Sequence, residues 1–238
     1  MPFSLLFTAF SPFLALALLI VLFILMQPRR FYFVRHGETL LNAEHIRQGA
    51  DGALSPTGRA QAERAAAYLA RFPIRRIVAS SYERARETAL IISTHLHAPA
   101  LYSDLLVERR NPSEIIGKRA NAPEVLRITD RIDGAYHDDT YRYSDEENFT
   151  DMKQRARKAL TLLSRQGARE TCVVTHGIFL KMLIAYLLYR QRLTAAGYVK
   201  LSFFNSADNA GITVCEYHPW KMWNATRGWE VVSYNETP

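Results

Sequence analysis

The chain has 238 residues, 48% of them hydrophobic, which is room for one large domain or two small ones with a substantial core. Two cysteines, Cys172 and Cys215, exclude a disulfide framework and a cysteine-based metal cluster; buried free thiols in a reducing compartment are the expectation. A net charge of +7 suits anionic substrates or an anionic membrane surface, whereas the lack of an aromatic-interleaved basic stripe argues against nucleic acid.

Met1 to Pro28 contain no charged side chain, and Pro2 to Met26 are almost wholly apolar. About 20 apolar residues span a bilayer, so this stretch predicts an N-terminal membrane anchor over residues 1–28. A cleaved signal peptide fits less well, because the n-region lacks Lys and Arg and Gln27-Pro28-Arg29-Arg30 is a poor cleavage site. Arg29 and Arg30 follow the span at once, and the positive-inside rule then puts residues 29–238 in the cytoplasm as the main domain of a single-pass protein. Translation from Met26 would instead give a cytoplasmic protein without an anchor.

Phe31-Tyr32-Phe33-Val34 reads as a buried strand that delivers Arg35, His36 and Gly37 to a sheet edge. Ser55 and Pro56 read as the N-cap and first residue of a helix whose inward face is Ala62, Ala65, Ala66 and Leu69. Ile74 to Ser80 is a second strand, followed by a helix with Ala85, Thr88, Ala89 and Ile92 inward. Residues 117–149 are polar and acidic, with few periodic apolar positions, and predict a long functional excursion. Asp151 to Arg165 is an amphipathic helix; Thr171 to Thr175 is a strand ending in His176-Gly177; Ile178 to Tyr189 is a buried core helix. Leu201–Phe204, Ile212–Tyr217 and Trp229–Tyr234 finish the chain as predicted strands. This alternation predicts an α/β domain with a largely parallel sheet.

Two strands that each end in His-Gly would bring His36 and His176 together, with Arg35 and Arg84 nearby. Such a cationic cluster needs an anion to neutralise it, and a phosphoryl group with three equatorial oxygens fits. Zinc also uses paired histidines, but two arginines would repel it, so no metal site is expected.

Four stretches in order, Arg35-His36-Gly37-Glu38-Thr39 with Asn42, Gln48-Gly49 through Leu54-Ser55-Pro56-Thr57-Gly58, Ser80-Ser81-Tyr82-Glu83-Arg84-Ala85 with Thr88-Ala89, and Val174-Thr175-His176-Gly177, resemble the histidine phosphatase superfamily, the phosphoglycerate-mutase-like group. The resemblance implies a three-layer α/β/α sandwich with a mostly parallel central sheet, here preceded by one N-terminal transmembrane helix. It implies a metal-independent phosphoric monoester hydrolase without cofactor, in which His36 becomes phosphorylated and Arg35, Arg84 and His176 clamp the phosphoryl oxygens. Asn42 would be a further phosphate contact, and Glu108 the proton donor to the leaving group. There are departures: Glu108-Arg109-Arg110-Asn111-Pro112 stands where true mutases carry Glu-Arg-Xaa-Tyr-Gly, and Tyr82 occupies a position that is commonly Pro. The first favours a phosphatase over a mutase. The expected partners are a phosphorylated small molecule or phosphoprotein and the membrane; a phosphoprotein phosphatase and a non-catalytic phospho-ligand binder are the alternatives, and the oligomeric state stays open.

Overall fold

In the computed structural model, which describes residues 12–165, 168–204, 207–221, 223–224 and 226–238, the chain begins with helix α1 (Pro12–Leu25) and then strand β1 (Arg29–Arg35). Next come α2 (Leu40–Ala43), α3 (Pro56–Leu69), β2 (Arg76–Ser80), α4 (Glu83–Leu96), β3 (Ala100–Ser103), α5 (Pro123–Gly134) and α6 (Phe149–Ser164). The chain ends with β4 (Glu170–Thr175), α7 (Gly177–Tyr189), α8 (Ala195–Phe204), β5 (Ile212–Tyr217) and β6 (Trp229–Glu236).

The six strands form one mixed sheet in the order β3-β2-β4-β1-β5-β6. β3, β2, β4 and β1 run parallel, and β5 and β6 are antiparallel additions at one side. β1 is central because its Phe31 to Val34 run has no polar face: all four side chains are buried. Its alternation then assigns the layers. Phe31 and Phe33 pack with Leu160 and Leu163 of α6 and Phe179 and Leu183 of α7. Tyr32 and Val34 pack on the other face against Ala65 and Ala66 of α3 and Ala85 and Ala89 of α4. The α/β sandwich expected from the sequence is therefore present.

The transmembrane part of that expectation is overturned. The described part of α1, Pro12–Leu25, has 14 residues, about 21 Å of helix against a hydrocarbon core of about 30 Å. Among the described residues no helix is long and apolar enough to cross a membrane. Pro28 restricts the residue before it to extended backbone, and β1 starts at Arg29, so the helix cannot be prolonged on that side. The single-pass topology, its cytoplasmic orientation and the membrane as partner lose their support with it; residues 1–11 of the expected anchor lie outside the described residues.

Two further expectations change. Leu201 to Phe204 is the last turn of α8 rather than a strand. Thr194 Oγ1 accepts from the Gly197 N–H at 3.1 Å, as a helix cap does, and Tyr198 and Leu201 then meet the core at helical spacing. Within the excursion 117–149, α5 starts on Pro123 and buries Val125 and Ile128 against Ile115, a small core of its own. The excursion is a packed subdomain, not an irregular loop.

Candidate active site

β1 and β4 are adjacent and parallel with Arg35 opposite Thr175, so the residues that follow each strand leave the sheet side by side. The His36 N–H donates to Thr175 O at 3.0 Å, and the His36 and His176 rings meet edge-on with centroids 5.0 Å apart. Arg84 arrives from the first turn of α4, 3% exposed, and its Nε donates to His36 Nε2 at 3.3 Å while Nη1 donates to Gly49 O at 2.9 Å. Four of the sequence-predicted residues, Arg35, His36, Arg84 and His176, thus form one cluster.

Glycine is needed at position 37 for packing rather than for its dihedral freedom. A Cβ on Gly37 would lie 2.3 Å from Gly58 O, and a Cβ on Gly58 would lie 1.9 Å from Glu38 O. The loop after β1 therefore rests backbone to backbone on the first turn of α3, which Ser55 caps through its bond from the Gly58 N–H. Gly177 makes room in the same way, since a Cβ there would lie 3.3 Å from Arg35 Nε.

His36 is held in one tautomer. Its Nδ1 is 2.7 Å from Gly37 O, a partner that only accepts, so Nδ1 carries the proton. That leaves Nε2 with its lone pair, consistent with the donation from Arg84. Burial, with Arg84 and Arg35 alongside, holds the His36 pKa well below the ordinary histidine value, so the ring is neutral and nucleophilic at neutral pH. His176 is likewise held neutral by burial and by the neighbouring His36 and arginines, and its Nε2 meets Ser80 Oγ at 2.7 Å. Arg35 donates through Nη1 to Ala207 O, and its buried Nε has no partner.

Glu108 stands at the start of α7. One carboxylate oxygen accepts from the Phe179 and Arg109 N–H groups, each at 2.9 Å, and the other from the Ile178 N–H at 3.2 Å. This is a carboxylate at a helix N-terminus, where the dipole and free N–H groups favour it. Arg155 of α6 fixes the segment: it forks onto Glu147, whose side chain is 1% exposed, and donates to Val107 O at 2.6 Å. Its guanidinium lies 3.8 Å from the Phe179 ring centroid.

A cavity of about 410 Å³ is lined by Arg35, His36, Asn42, Arg84 and Glu108. His176 does not line it; fully buried, it backs the His36 ring. Asn42 does line it, but its Oδ1 also accepts from the Thr39 N–H at 3.3 Å in a capping box for α2, a structural task of its own. Among the described residues no group of three or more His, Cys, Asp or Glu is placed to hold a metal ion.

Sequence reading missed several members of the site. Ser80 orients His176; Thr88 accepts from the Gly37 N–H at 3.1 Å and donates to Arg84 O at 2.8 Å; Asn209 donates to His36 O at 3.0 Å. Ser80 and Thr88 lie inside motifs already noticed, so position was a signal for them, whereas Asn209 carried none. Arg47, Ile178 and Lys181 also line the cavity and form a wall shared with a second one of about 410 Å³, closed by α5, α6 and α8 with Tyr136, Phe149 and Tyr198 in its lining.

The profile of the histidine phosphatase superfamily (branch 1) matches residues 31–236. A probable phosphoglycerate mutase GpmB of Erwinia tasmaniensis is 30% identical over 166 residues, which is 66% of this chain and 74% of that protein. Mycobacterial glucosyl-3-phosphoglycerate phosphatase superposes with a TM-score of 0.69 at 25% identity, covering 88% of this chain and 99% of the other. In fold alone, phosphoserine phosphatase of Entamoeba histolytica is similar too, with a TM-score of 0.68 at 22% identity and coverage of 88% and 98%. Phosphatases and mutase-type enzymes are thus what this chain is similar to, and the chain belongs to the histidine phosphatase superfamily, branch 1.

Proposed function

We propose that the chain is a small-molecule phosphomonoesterase that works through a phosphohistidine on His36. The observation that carries the reading is His36 itself: a buried neutral imidazole with Nδ1 tied to Gly37 O and Nε2 turned to Arg84 beside an open cavity. Nε2 attacks phosphorus in line, a nitrogen–phosphorus bond forms, and the bond to the leaving oxygen breaks with its electron pair. Arg35 and Arg84 hold the phosphoryl oxygens as charge spreads over them; a site with such donors in place gains most in the transition state. Glu108 passes a proton to the leaving oxygen and later takes one from the water that attacks phosphorus and frees His36. His176 supports the ring of His36 from behind, and Asn42 adds a contact at the cavity's edge.

The walls suggest the substrate class. Arg47 and Lys181 stand between the catalytic cavity and its neighbour, which Asp133 also lines; Arg47 Nε is buried without a hydrogen-bond partner, and Lys181 Nζ donates to Ser202 O at 3.1 Å. They suit a phosphomonoester whose leaving group carries a second acidic group, with an apolar or ring-bearing body against Phe149 and Tyr198. The glycosylated phosphoglycerate named for the mycobacterial relative is a compound of that kind.

The test is hydrolysis of p-nitrophenyl phosphate in EDTA by the wild type, His36→Ala and Glu108→Gln. Activity should vanish in the first; in the second, kcat should fall about 10²–10⁴-fold for an alkyl phosphate with a poor leaving group, and least for p-nitrophenyl phosphate. Quenching the wild type in alkali should trap an acid-labile phosphoryl group. Full activity in His36→Ala would end the proposal. Phosphate transfer to a second hydroxyl compound faster than to water would make the chain a mutase, as the name of the Erwinia relative reads.

A further inference from the structure

The far end of β1 carries a second basic cavity that the proposed reaction does not use. Arg29, the first residue of the strand, pairs with Tyr217 of β5, so this end lies one strand length, about 20 Å, from His36. The cavity has a volume of about 510 Å³. α6 contributes Arg157 and Arg165, which lie on one helical face with Leu160, Thr161 and Ser164; the end of α7 contributes Arg190 and the β5–β6 connection Arg227. Tyr217 and Trp229, rings 5.2 Å apart, close it from the sheet. No acidic side chain lines it among the described residues.

Arginines near helix C-termini have an ordinary explanation, because each terminus carries about half an elementary negative charge. Two termini do open here, those of α6 at Ser164-Arg165 and of α7 at Arg190-Gln191. Together they offset about one positive charge, and the lining holds four guanidinium groups. Arg190 makes the imbalance concrete. Its guanidinium lies 5.5 Å from the Tyr186 ring centroid, but Nε and Nη2 are buried without a hydrogen-bond partner, and its backbone is held at φ 51, where side chains are disfavoured. Tyr186 carries no formal charge, so the cation is held at the cavity without an anionic partner.

We propose that this cavity binds a compact, multiply charged phosphate-class anion at a site separate from the catalytic pocket. The guanidinium fork presents paired donors that match phosphate oxygens two at a time, and the uncompensated charges favour a polyvalent anion over a monovalent one. Pyrophosphate is the simplest probe.

The experiment is a calorimetric titration of the full chain with pyrophosphate in an Arg84→Gln background, which weakens the catalytic pocket. Arg157→Gln and Arg227→Gln are then added together; both side chains are exposed at the rim, so folding is unaffected and the unliganded melting temperature serves as control. Pyrophosphate should still bind Arg84→Gln and bind at least about tenfold more weakly once both rim charges are gone. The rim pair in an otherwise wild-type chain should hydrolyse p-nitrophenyl phosphate normally. Pyrophosphate affinity that ignores the rim substitutions, or disappears with Arg84→Gln alone, overturns the proposal. Vesicles of phosphatidylcholine with phosphatidic acid, a lipid phosphomonoester that can carry two charges, separate the sources in the Arg84→Gln background: capture that the rim substitutions abolish assigns the anion to a lipid headgroup, and pyrophosphate binding without capture assigns it to a free solute.

Discussion

Gly37→Ala tests how His36, the proposed nucleophile, is held. The added methyl would lie 2.3 Å from Gly58 O and 2.9 Å from its carbonyl carbon. Both are backbone atoms, so no rotamer change relieves the contact. The two strands of chain are also pinned, Gly37 by its N–H to Thr88 Oγ1 at 3.1 Å and Gly58 by its N–H to Ser55 Oγ at 3.0 Å. Something must move by roughly an ångström, and overpacking of this kind costs about 1–3 kcal/mol. For a domain of this size that is a fall in Tm of about 2–12 °C. Because His36 is the preceding residue and its Nδ1 is tied to Gly37 O, the same shift misplaces Nε2, which costs about 10²-fold in kcat. The assay is thermal unfolding beside p-nitrophenyl phosphate kinetics, with Gly134→Ala as control, since a Cβ there meets nothing within 4 Å. Wild-type Tm and kcat in Gly37→Ala would refute the reading that backbone contact with α3 positions His36.

Three further outcomes follow from the same geometry. Arg155→Met should strand the Glu147 carboxylate, 1% exposed, and lower stability by about 3–5 kcal/mol in urea unfolding; replacing both partners with apolar residues should recover much of it. His36 and His176 are buried with pKa values well below the ordinary one, so the unfolded chain takes up protons that the folded chain refuses. Stability is therefore complete above the unfolded value of about 6.5 and falls as pH drops below it, by about 1.4 kcal/mol per pH unit for each ring, until the folded values are reached; unfolding midpoints between pH 7 and 5 check the sign. Cys172 and Cys215 are fully buried, and burial pushes both thiols up, so neither should react with a thiol reagent until the chain unfolds.

Local pattern determined much of this protein. Phe31 to Val34 and Thr171 to Val174 are apolar runs without a polar face, which only a central strand can bury, and the His-Gly pairs that end them are the site's two histidines. Ser55-Pro56 announces a helix start because capping is chemistry within four residues. Glu108 could be placed in the site by resemblance, but not its seat on the first N–H groups of α7, 70 residues further on. Tertiary structure alone decided what joins distant segments: Ser80 to His176, Asn209 to His36, and Arg155 to the backbone under Glu108. It also overruled local signals. Leu201–Phe204 has strand-like composition, yet the cap at Thr194 and the core contacts of Tyr198 make it helical. Val125 and Ile128 looked too few to organise 117–149 until Ile115, in a different turn, supplied the surface they bury against. The apolar composition of the N-terminal stretch was plain, but composition does not set where a helix stops; α1 ends at Leu25, ahead of Pro28 and β1. Periodicity and caps act over a few residues and can be read along the chain. Charge balance at the site, and at the arginine-lined cavity, depends on which side chains the sheet brings together.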